Sequence, residues 1–114
     1  MDCIFCKILN KKIPAEFIFK NKKVAVFKDI NPKAKIHVLV VPFKHIATLN
    51  DIKRSDRDLT AELIDVAIKI AKKIKINSTG YRLVLNCGPD GGQIVNHIHL
   101  HILGGEKLGP KRDF

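Results

Sequence analysis

The chain has 114 residues, which is too short for two separate hydrophobic cores. Its composition, 46% hydrophobic and 28% charged residues, excludes an intrinsically disordered chain. Lysine and arginine number 21 against 11 for aspartate and glutamate, which gives a formal net charge of +10. This charge favours an anionic ligand such as a nucleotide or a nucleic acid, but a lysine-rich solvated surface explains it equally well. No aromatic residues interleave with the lysines of residues 69–75, so nucleic-acid binding is not expected. We expect a single domain over residues 1–114.

The first residues, MDCIFCKILNKKIP, contain no long apolar run. They predict neither a signal peptide nor a membrane span, and we expect a cytoplasmic protein without a membrane partner. The chain contains three cysteines, and two of them, Cys3 and Cys6, lie close together. An odd number at this spacing favours reduced thiols over a disulfide framework.

The first half of the chain predicts one short helix and three strands. Apolar residues at helical spacing predict a helix over residues 3–10, with Asp2 as its N-cap. Residues 15–19 and 24–28 have strand-like composition and flank a lysine-rich turn. Residues 36–42 are rich in β-branched side chains and end at a proline, which is typical of a central strand.

The second half predicts the long helix and two further strands. Apolar residues repeat at steps of three and four over residues 55–77, and Ser55 or Asp56 caps this helix. Residues 81–86 and 97–103 are strand-like, with a glycine-rich loop between them. Together the elements predict an α+β fold, in which one long and one short helix cover an antiparallel sheet on one side.

Three of the five histidines alternate along NHIHLHIL, at His97, His99 and His101. Alternate side chains of a strand share one face, so the three imidazoles lie together while the apolar residues between them face the core. Such a row can bind a metal ion, shuttle protons or attack an electrophile. The preceding GPDGGQ loop is by itself typical of a plain β-turn, but beside the histidines its backbone N–H groups suggest phosphate binding.

Cys3 and Cys6 have the spacing found in zinc sites and in redox pairs. With His45 and one histidine of the row they would complete a Cys2His2 set, and a reduced pair that only packs the first helix is the alternative. We expect Cys87 to be a buried residue at a strand end. We expect His37 to be an interior or surface histidine without a functional role.

Four segments of the chain together resemble the histidine triad (HIT) superfamily: CIFCKILNKKIPA, VAVFKDINPKAKIHVLVVPFKHI, YRLVLNCGPDGGQ and GGQIVNHIHLHIL. The resemblance covers nearly the whole chain, and the ending HILGG is most similar to the Hint branch of nucleoside phosphoramidase-like members. It implies a HIT-like fold that pairs as a homodimer. The pairing would use the long helix and the strand edge left by residues 81–86, continuing the sheet across a two-fold axis.

The resemblance also implies a set of catalytic residues. His99 matches the nucleophile that attacks the α-phosphate of a nucleotide conjugate and forms a nucleotidyl-histidine, which water then hydrolyses. His101 matches the residue that donates to the phosphate oxygens, and Gln93 belongs to the same catalytic set. Zinc-bearing relatives imply four ligands for a structural zinc ion: Cys3, Cys6, His45 and His97.

The nucleotide pocket follows from the same resemblance. Asp29 matches the carboxylate that accepts both ribose hydroxyls. The apolar wall around a purine base corresponds to Phe5, Ile8, Ile13, Phe27 and Ile30. The phosphate site corresponds to Asn86, Gly92, Gln93 and Val95, beside His99 and His101. Without the resemblance, periodicity alone makes four of the apolar residues ordinary core residues: Phe5, Ile8, Phe27 and Ile30.

Ile94 is a departure from the family pattern, because Hint relatives commonly have a serine at this position. An isoleucine cannot hydrogen-bond a phosphate oxygen or help to protonate an amine leaving group. The tail also lacks the tryptophan of many eukaryotic Hint members. The nucleophile is retained, so these differences concern the rate and the leaving group.

We therefore expect a purine nucleotide-binding hydrolase that cleaves a P–N or P–O bond at the α-phosphate of conjugates such as adenosine phosphoramidates. One alternative is a zinc-stabilised module that binds or senses nucleotides with little turnover, and another is a dinucleoside polyphosphate hydrolase. A nucleic-acid-binding protein is the third reading, and only the net charge suggests it.

Overall fold

The computed structural model describes residues 3–110. Its helices and strands are α1 Ile4–Leu9, β1 Phe17–Lys20, β2 Val24–Lys28, β3 Ile36–Pro42, α2 Arg57–Lys73, β4 Tyr81–Val84 and β5 Leu100–Gly104. The strands form one antiparallel sheet in the order β1-β2-β3-β5-β4. The predicted fold class, an antiparallel sheet with one long and one short helix, is confirmed.

The prediction that helices cover one side of the sheet is wrong, because α1 and α2 lie on opposite faces. Val24, Val26, Val38 and Val40 pack with α2, whereas the alternate strand residues pack with Phe5, Ile8 and Leu9 of α1. The physical reason is visible in β2 and β3, which are apolar at nearly every position instead of at every second one. A strand of this kind must be covered on both faces.

The helix α2 is shorter than the predicted residues 55–77. It follows a 3-10 turn, Arg54–Asp56, and the Asp56 side chain makes no capping bond to the helix. At the other end Lys75 adopts a positive φ of 64°, and the Ile76 N–H donates to the Ala71 carbonyl at 3.0 Å. This is a Schellman ending, and the buried Ile76 supplies its apolar contact. Residue preferences favour glycine at a left-handed position, so they do not predict a lysine there.

The N-cap of α1 is Cys3, whose sulfur accepts a hydrogen bond from the Cys6 N–H at 3.4 Å. The predicted N-cap, Asp2, lies outside the described residues. The short helix therefore begins at a cysteine that also belongs to the candidate metal site.

The histidine row lies only partly in a strand, because β5 begins at Leu100 and not at residue 97. Continuing the β3–β5 register would place Ile98 opposite Pro42, which has no N–H to donate to the neighbouring strand. The Ile98 N–H donates to the Ile46 carbonyl, outside the sheet, at 2.8 Å. The alternation nevertheless persists. Ile98, Leu100 and Ile102 pack in the α2 core, while the three histidines face the α1 side.

Candidate active site and metal centre

A cavity of about 400 Å³ opens on the α1 side of the sheet. It is bounded by α1, by the end of β2 with the loop that follows it, and by the segment around the histidine row. Most of the predicted nucleotide-binding residues line it: Phe5, Ile8, Ile13, Phe27, Asp29, Ile30, Gly92, Val95, His99 and His101. The structure therefore brings these residues together around one space. The two exceptions are Asn86 and Gln93.

Asn86 and Gln93 shape the glycine-rich loop. The Gln93 amide nitrogen donates to the carbonyls of Ala47 at 2.7 Å and Val95 at 3.0 Å, and its oxygen accepts the Gly88 N–H at 2.9 Å. The Asn86 amide donates to the Gly91 carbonyl at 2.8 Å. Both side chains are thus engaged with backbone groups and hold the loop that forms one lip of the cavity.

His99 is 7% exposed and lines the cavity. Its Nδ1 lies 2.8 Å from the His97 carbonyl, which can only accept, so Nδ1 carries the proton and Nε2 carries the lone pair. Burial lowers the pKa of His99 below its usual value of 6.5, so the ring is neutral near pH 7. A neutral imidazole with an available Nε2 lone pair is the form required of a nucleophile.

His101 is paired with His37, its Nδ1 lying 2.8 Å from His37 Nε2. The Lys33 N–H donates to His37 Nδ1 at 3.0 Å, so the proton of neutral His37 is on Nε2 and is donated to His101. The proton of His101 is therefore on its own Nε2. Burial and the neighbouring His99 and His37 lower the pKa of His101 to about 4, which keeps it neutral.

His37 is the functional candidate that the sequence alone did not reveal. It was expected to be a histidine without a role, but it is buried, lines the cavity and contacts His101. Asp29 approaches the same nitrogen, with an oxygen 3.4 Å from His37 Nε2. We call these three residues the cavity cluster: Asp29 in the loop after β2, His37 in β3 and His101 in β5.

The four predicted metal ligands lie together, with their ligand atoms within 4.8 Å of one another. We call them the metal cluster: Cys3, Cys6, His45 and His97. The His97 Nδ1 is 3.4 Å from the Cys3 sulfur, 3.6 Å from the Cys6 sulfur and 3.1 Å from His45 Nδ1. The His97 Nε2 donates to the Pro42 carbonyl at 2.8 Å, so the lone pair of His97 points at the other three residues. This donor set can hold a metal ion.

The surroundings of Cys6 in the metal cluster disfavour ionisation of its thiol. Burial, together with the neighbouring Cys3, raises the pKa of the Cys6 thiol above its usual value. Two adjacent thiolates need a cation between them, and a bound metal ion supplies that charge.

The third cysteine, Cys87, is half-buried, and the prediction that it is buried is wrong.

A profile of the HIT domain family matches residues 10–108. A purine nucleoside phosphoramidase of Escherichia coli K12 is 41% identical over 109 residues, which cover 96% of this chain and 92% of the relative. The solved structure of a histidine triad protein from Clostridium difficile has a TM-score of 0.94 at 47% identity, with 97% of this chain and 96% of that chain covered. The chain therefore belongs to the HIT domain family, and the resemblance found in its motifs is confirmed.

A further solved structure bears on the metal cluster. A Zn-bound histidine triad family protein from Mycobacterium smegmatis has a TM-score of 0.82 at 30% identity, with 99% of this chain and 86% of that chain covered. Concerning membranes, none of the helices within residues 3–110 combines the length and the apolar character needed to cross a bilayer.

Proposed function

We propose that the protein is a hydrolase that cleaves the α-phosphate bond of purine nucleotide conjugates, such as adenosine phosphoramidates, through a nucleotidyl-histidine on His99. The observation that carries the proposal is the tautomer of His99: its Nδ1 proton is held by a backbone carbonyl, and its Nε2 lone pair belongs to a buried residue that lines the cavity. The E. coli relative named as a purine nucleoside phosphoramidase supports the choice of substrate.

The reaction proceeds in two displacements at phosphorus. His99 Nε2 forms a bond to phosphorus while the bond from phosphorus to the leaving nitrogen or oxygen breaks, and the leaving group keeps that electron pair. Water then forms a bond to phosphorus while the P–Nε2 bond breaks, which regenerates neutral His99. In sum one water is consumed, its proton ending on the leaving group and its hydroxide on phosphorus.

The cavity cluster supports this chemistry. With its Nδ1 occupied by the His37 proton, His101 has an Nε2–H to donate to a phosphate oxygen, where negative charge grows during attack. His37 is a positioning residue because it fixes this tautomer. Asp29 is proposed to accept the ribose hydroxyls, and the apolar residues of α1 and β2 to enclose the base.

Gln93 was expected among the catalytic residues, and we now propose that it and Asn86 act through the loop. Their side chains bond backbone groups of residues 47 and 88–95, which positions the lip next to the phosphate site. Replacing Gln93 would accordingly displace the lip and affect binding as well as turnover.

A structural zinc ion is proposed for the metal cluster. Cys3, Cys6, His45 and His97 would hold it in a tetrahedral site, and its contribution would be to fix α1 to the loop after β3 and to the histidine row. The Zn-bound relative from Mycobacterium smegmatis supports this choice of metal.

A homodimer is proposed as well. β4 is the last strand in the sheet order, so within residues 3–110 its outer edge pairs with no other strand. Its half-buried residues Tyr81–Val84 suit continuation of the sheet by a second copy. Light scattering should give the mass of two chains, and the mass of one chain would count against the dimer.

The catalytic proposal is tested by His99→Asn. The variant should lose at least about a thousandfold in the hydrolysis of adenosine phosphoramidate, because no nucleophile remains, while adenosine monophosphate still binds by calorimetry. Asn96→Ala, on an exposed neighbouring residue, is the matched control and should keep full activity. Wild-type protein that binds adenosine monophosphate without hydrolysing any conjugate would favour the nucleotide-binding module.

A further inference from the structure

The mouth of the cavity carries exposed apolar side chains. Within residues 3–110 five isoleucines are exposed, and three of them, Ile4, Ile30 and Ile94, line this cavity. The other two, Ile64 and Ile68, lie on α2. Ile94 is 93% exposed and Ile30 84%, so each leaves almost its whole side chain in water. Apolar surface gathered at a ligand cavity indicates an apolar contact with the ligand.

Ile94 is held in place by the residues on either side of it. The Gln93 amide bonds the carbonyls of Ala47 and Val95 and the Gly88 N–H, which anchors the backbone before and after Ile94. The backbone that presents this side chain at the lip of the cavity is therefore fixed before any ligand binds. Such preorganisation lets the contact contribute to selectivity without a cost for ordering a loop.

The direction of attack decides which part of the substrate meets Ile94. His99 is 7% exposed on the floor of the cavity, and in-line displacement places the leaving group on the side of phosphorus opposite His99. That side faces the mouth, where Ile94 is found. Ile30 directly follows Asp29 and belongs to the lip on the proposed nucleoside side.

We infer that Ile94 selects conjugates with an apolar leaving group, in particular alkylamines or arylalkylamines joined to the α-phosphate through nitrogen. This inference rests on the proposed hydrolase function. The P–N bond breaks as His99 Nε2 bonds to phosphorus, and the amine leaves with the electron pair and takes up a proton from water. Ile94 has no proton to give, and its contribution is to pack against the carbon chain of the amine.

The test uses two adenosine phosphoramidates that differ only in the amine, phenylethylamine in one and β-alaninamide in the other. Wild-type protein should hydrolyse the phenylethylamine conjugate with a kcat/KM about tenfold higher, and Ile94→Ser should reduce this ratio by about fivefold. Because Ile94 is exposed, we expect the variant to fold as the wild-type protein does. Ile64→Ser on α2 is the matched control and should leave the ratio unchanged.

Ile30→Ser provides a second comparison. Because Ile30 lies on the proposed nucleoside side, this variant should lower kcat/KM for both conjugates alike, and an unchanged ratio supports the assignment of the leaving group to Ile94. An unchanged ratio in Ile94→Ser overturns the inference. A smaller mass of Ile94→Ser in light scattering also overturns it, because the side chain would then be covered by a second copy of the chain.

Failure of the hydrolase proposal can be separated from failure of this inference. Calorimetry with His99→Asn measures binding of the two intact conjugates without turnover. A preference for the phenylethylamine conjugate that is lost in His99→Asn, Ile94→Ser supports the inference even if wild-type protein hydrolyses neither compound. Equal affinities for both conjugates overturn it whether or not hydrolysis occurs.

Discussion

The metal cluster and the cavity cluster each bring candidate ligand atoms within 4.8 Å of one another, sulfur and nitrogen in the first and nitrogen and oxygen in the second. The hydrogen bonds of their histidines differ in direction. The His97 Nε2 donates to the Pro42 carbonyl, so its Nδ1 presents a lone pair to the rest of the metal cluster. The His37 Nδ1 accepts the Lys33 N–H, so its Nε2 presents a proton to His101. A metal ligand must offer a lone pair. The tautomers therefore suit the first cluster to a metal ion and the second to proton donation.

The largest expected effect is on metal content. Wild-type protein should bind one zinc ion per chain, and the double variant Cys3→Ser, Cys6→Ser should bind none and unfold at a lower temperature. Asp29→Asn, His37→Gln should keep the one zinc ion, because these residues belong to the cavity cluster. Elemental analysis and thermal melting measure both quantities. Two zinc ions per wild-type chain would contradict the comparison.

The second effect concerns the dependence of stability on pH. The pKa of buried His101 is lowered from 6.5 to about 4, so the unfolded chain binds its proton first as the pH falls. The stability linked to His101 is therefore complete above pH 6.5 and is lost as the pH falls toward 4. The full loss is about 3 kcal/mol.

Urea unfolding at several pH values measures this linkage. His101→Gln cannot take up the proton, so its unfolding free energy should fall less steeply than that of wild-type protein between pH 6.5 and 4. The metal cluster is the same in both proteins, so zinc release contributes equally to the two slopes. Identical slopes would show that His101 is not held neutral by its surroundings.

The third effect separates two substitutions of His37. A glutamine can still donate to His101 Nδ1, whereas a leucine cannot, so His37→Leu should lower kcat by about 10- to 100-fold and His37→Gln by much less. KM should change little in either variant, because His37 acts through His101. Steady-state kinetics on an adenosine phosphoramidate measure the split, and equal loss in both variants would reduce His37 to a packing residue.

The smallest effect is expected beside the metal cluster. Lys44 precedes His45 and pairs with the buried Asp56 at 2.5 Å, which ties the loop that carries His45 to the start of α2. The Lys44 side chain is largely exposed, so Lys44→Met should weaken zinc binding by less than about fivefold. Competition with a chromophoric chelator measures the affinity. A loss of zinc affinity well above fivefold would contradict this prediction.

Much of this arrangement was predictable from the sequence because it depends on local periodicity. The alternation of His97, His99 and His101 with apolar residues was sufficient to separate the two faces, and this held even where the segment leaves the sheet. The apolar runs of β2 and β3 also indicate cover on both faces, and this property of the sequence accounts for the error of placing both helices on one face.

The contact between His37 and His101 was not predictable in the same way. It depends on the register of β3 with β5, in which Leu39 lies opposite His101 and His37 is therefore a diagonal neighbour. Register is set by the packing of the whole sheet and not by any residue near His37. The tautomers depend in turn on backbone groups, such as the Lys33 N–H, that no residue pattern specifies.

The single turn of chain from Cys3 to Cys6 also carries Phe5, whose ring contacts His99 with centroids 4.9 Å apart and lines the cavity. This turn thus supplies two of the proposed zinc ligands, while its Phe5 forms part of the wall proposed for the nucleotide. Thermodynamic reciprocity then requires that any gain in nucleotide affinity caused by zinc be matched by an equal gain in zinc affinity caused by nucleotide. With such coupling, a chelator would act as an indirect antagonist of substrate, and saturating nucleotide would lower the dissociation constant of zinc.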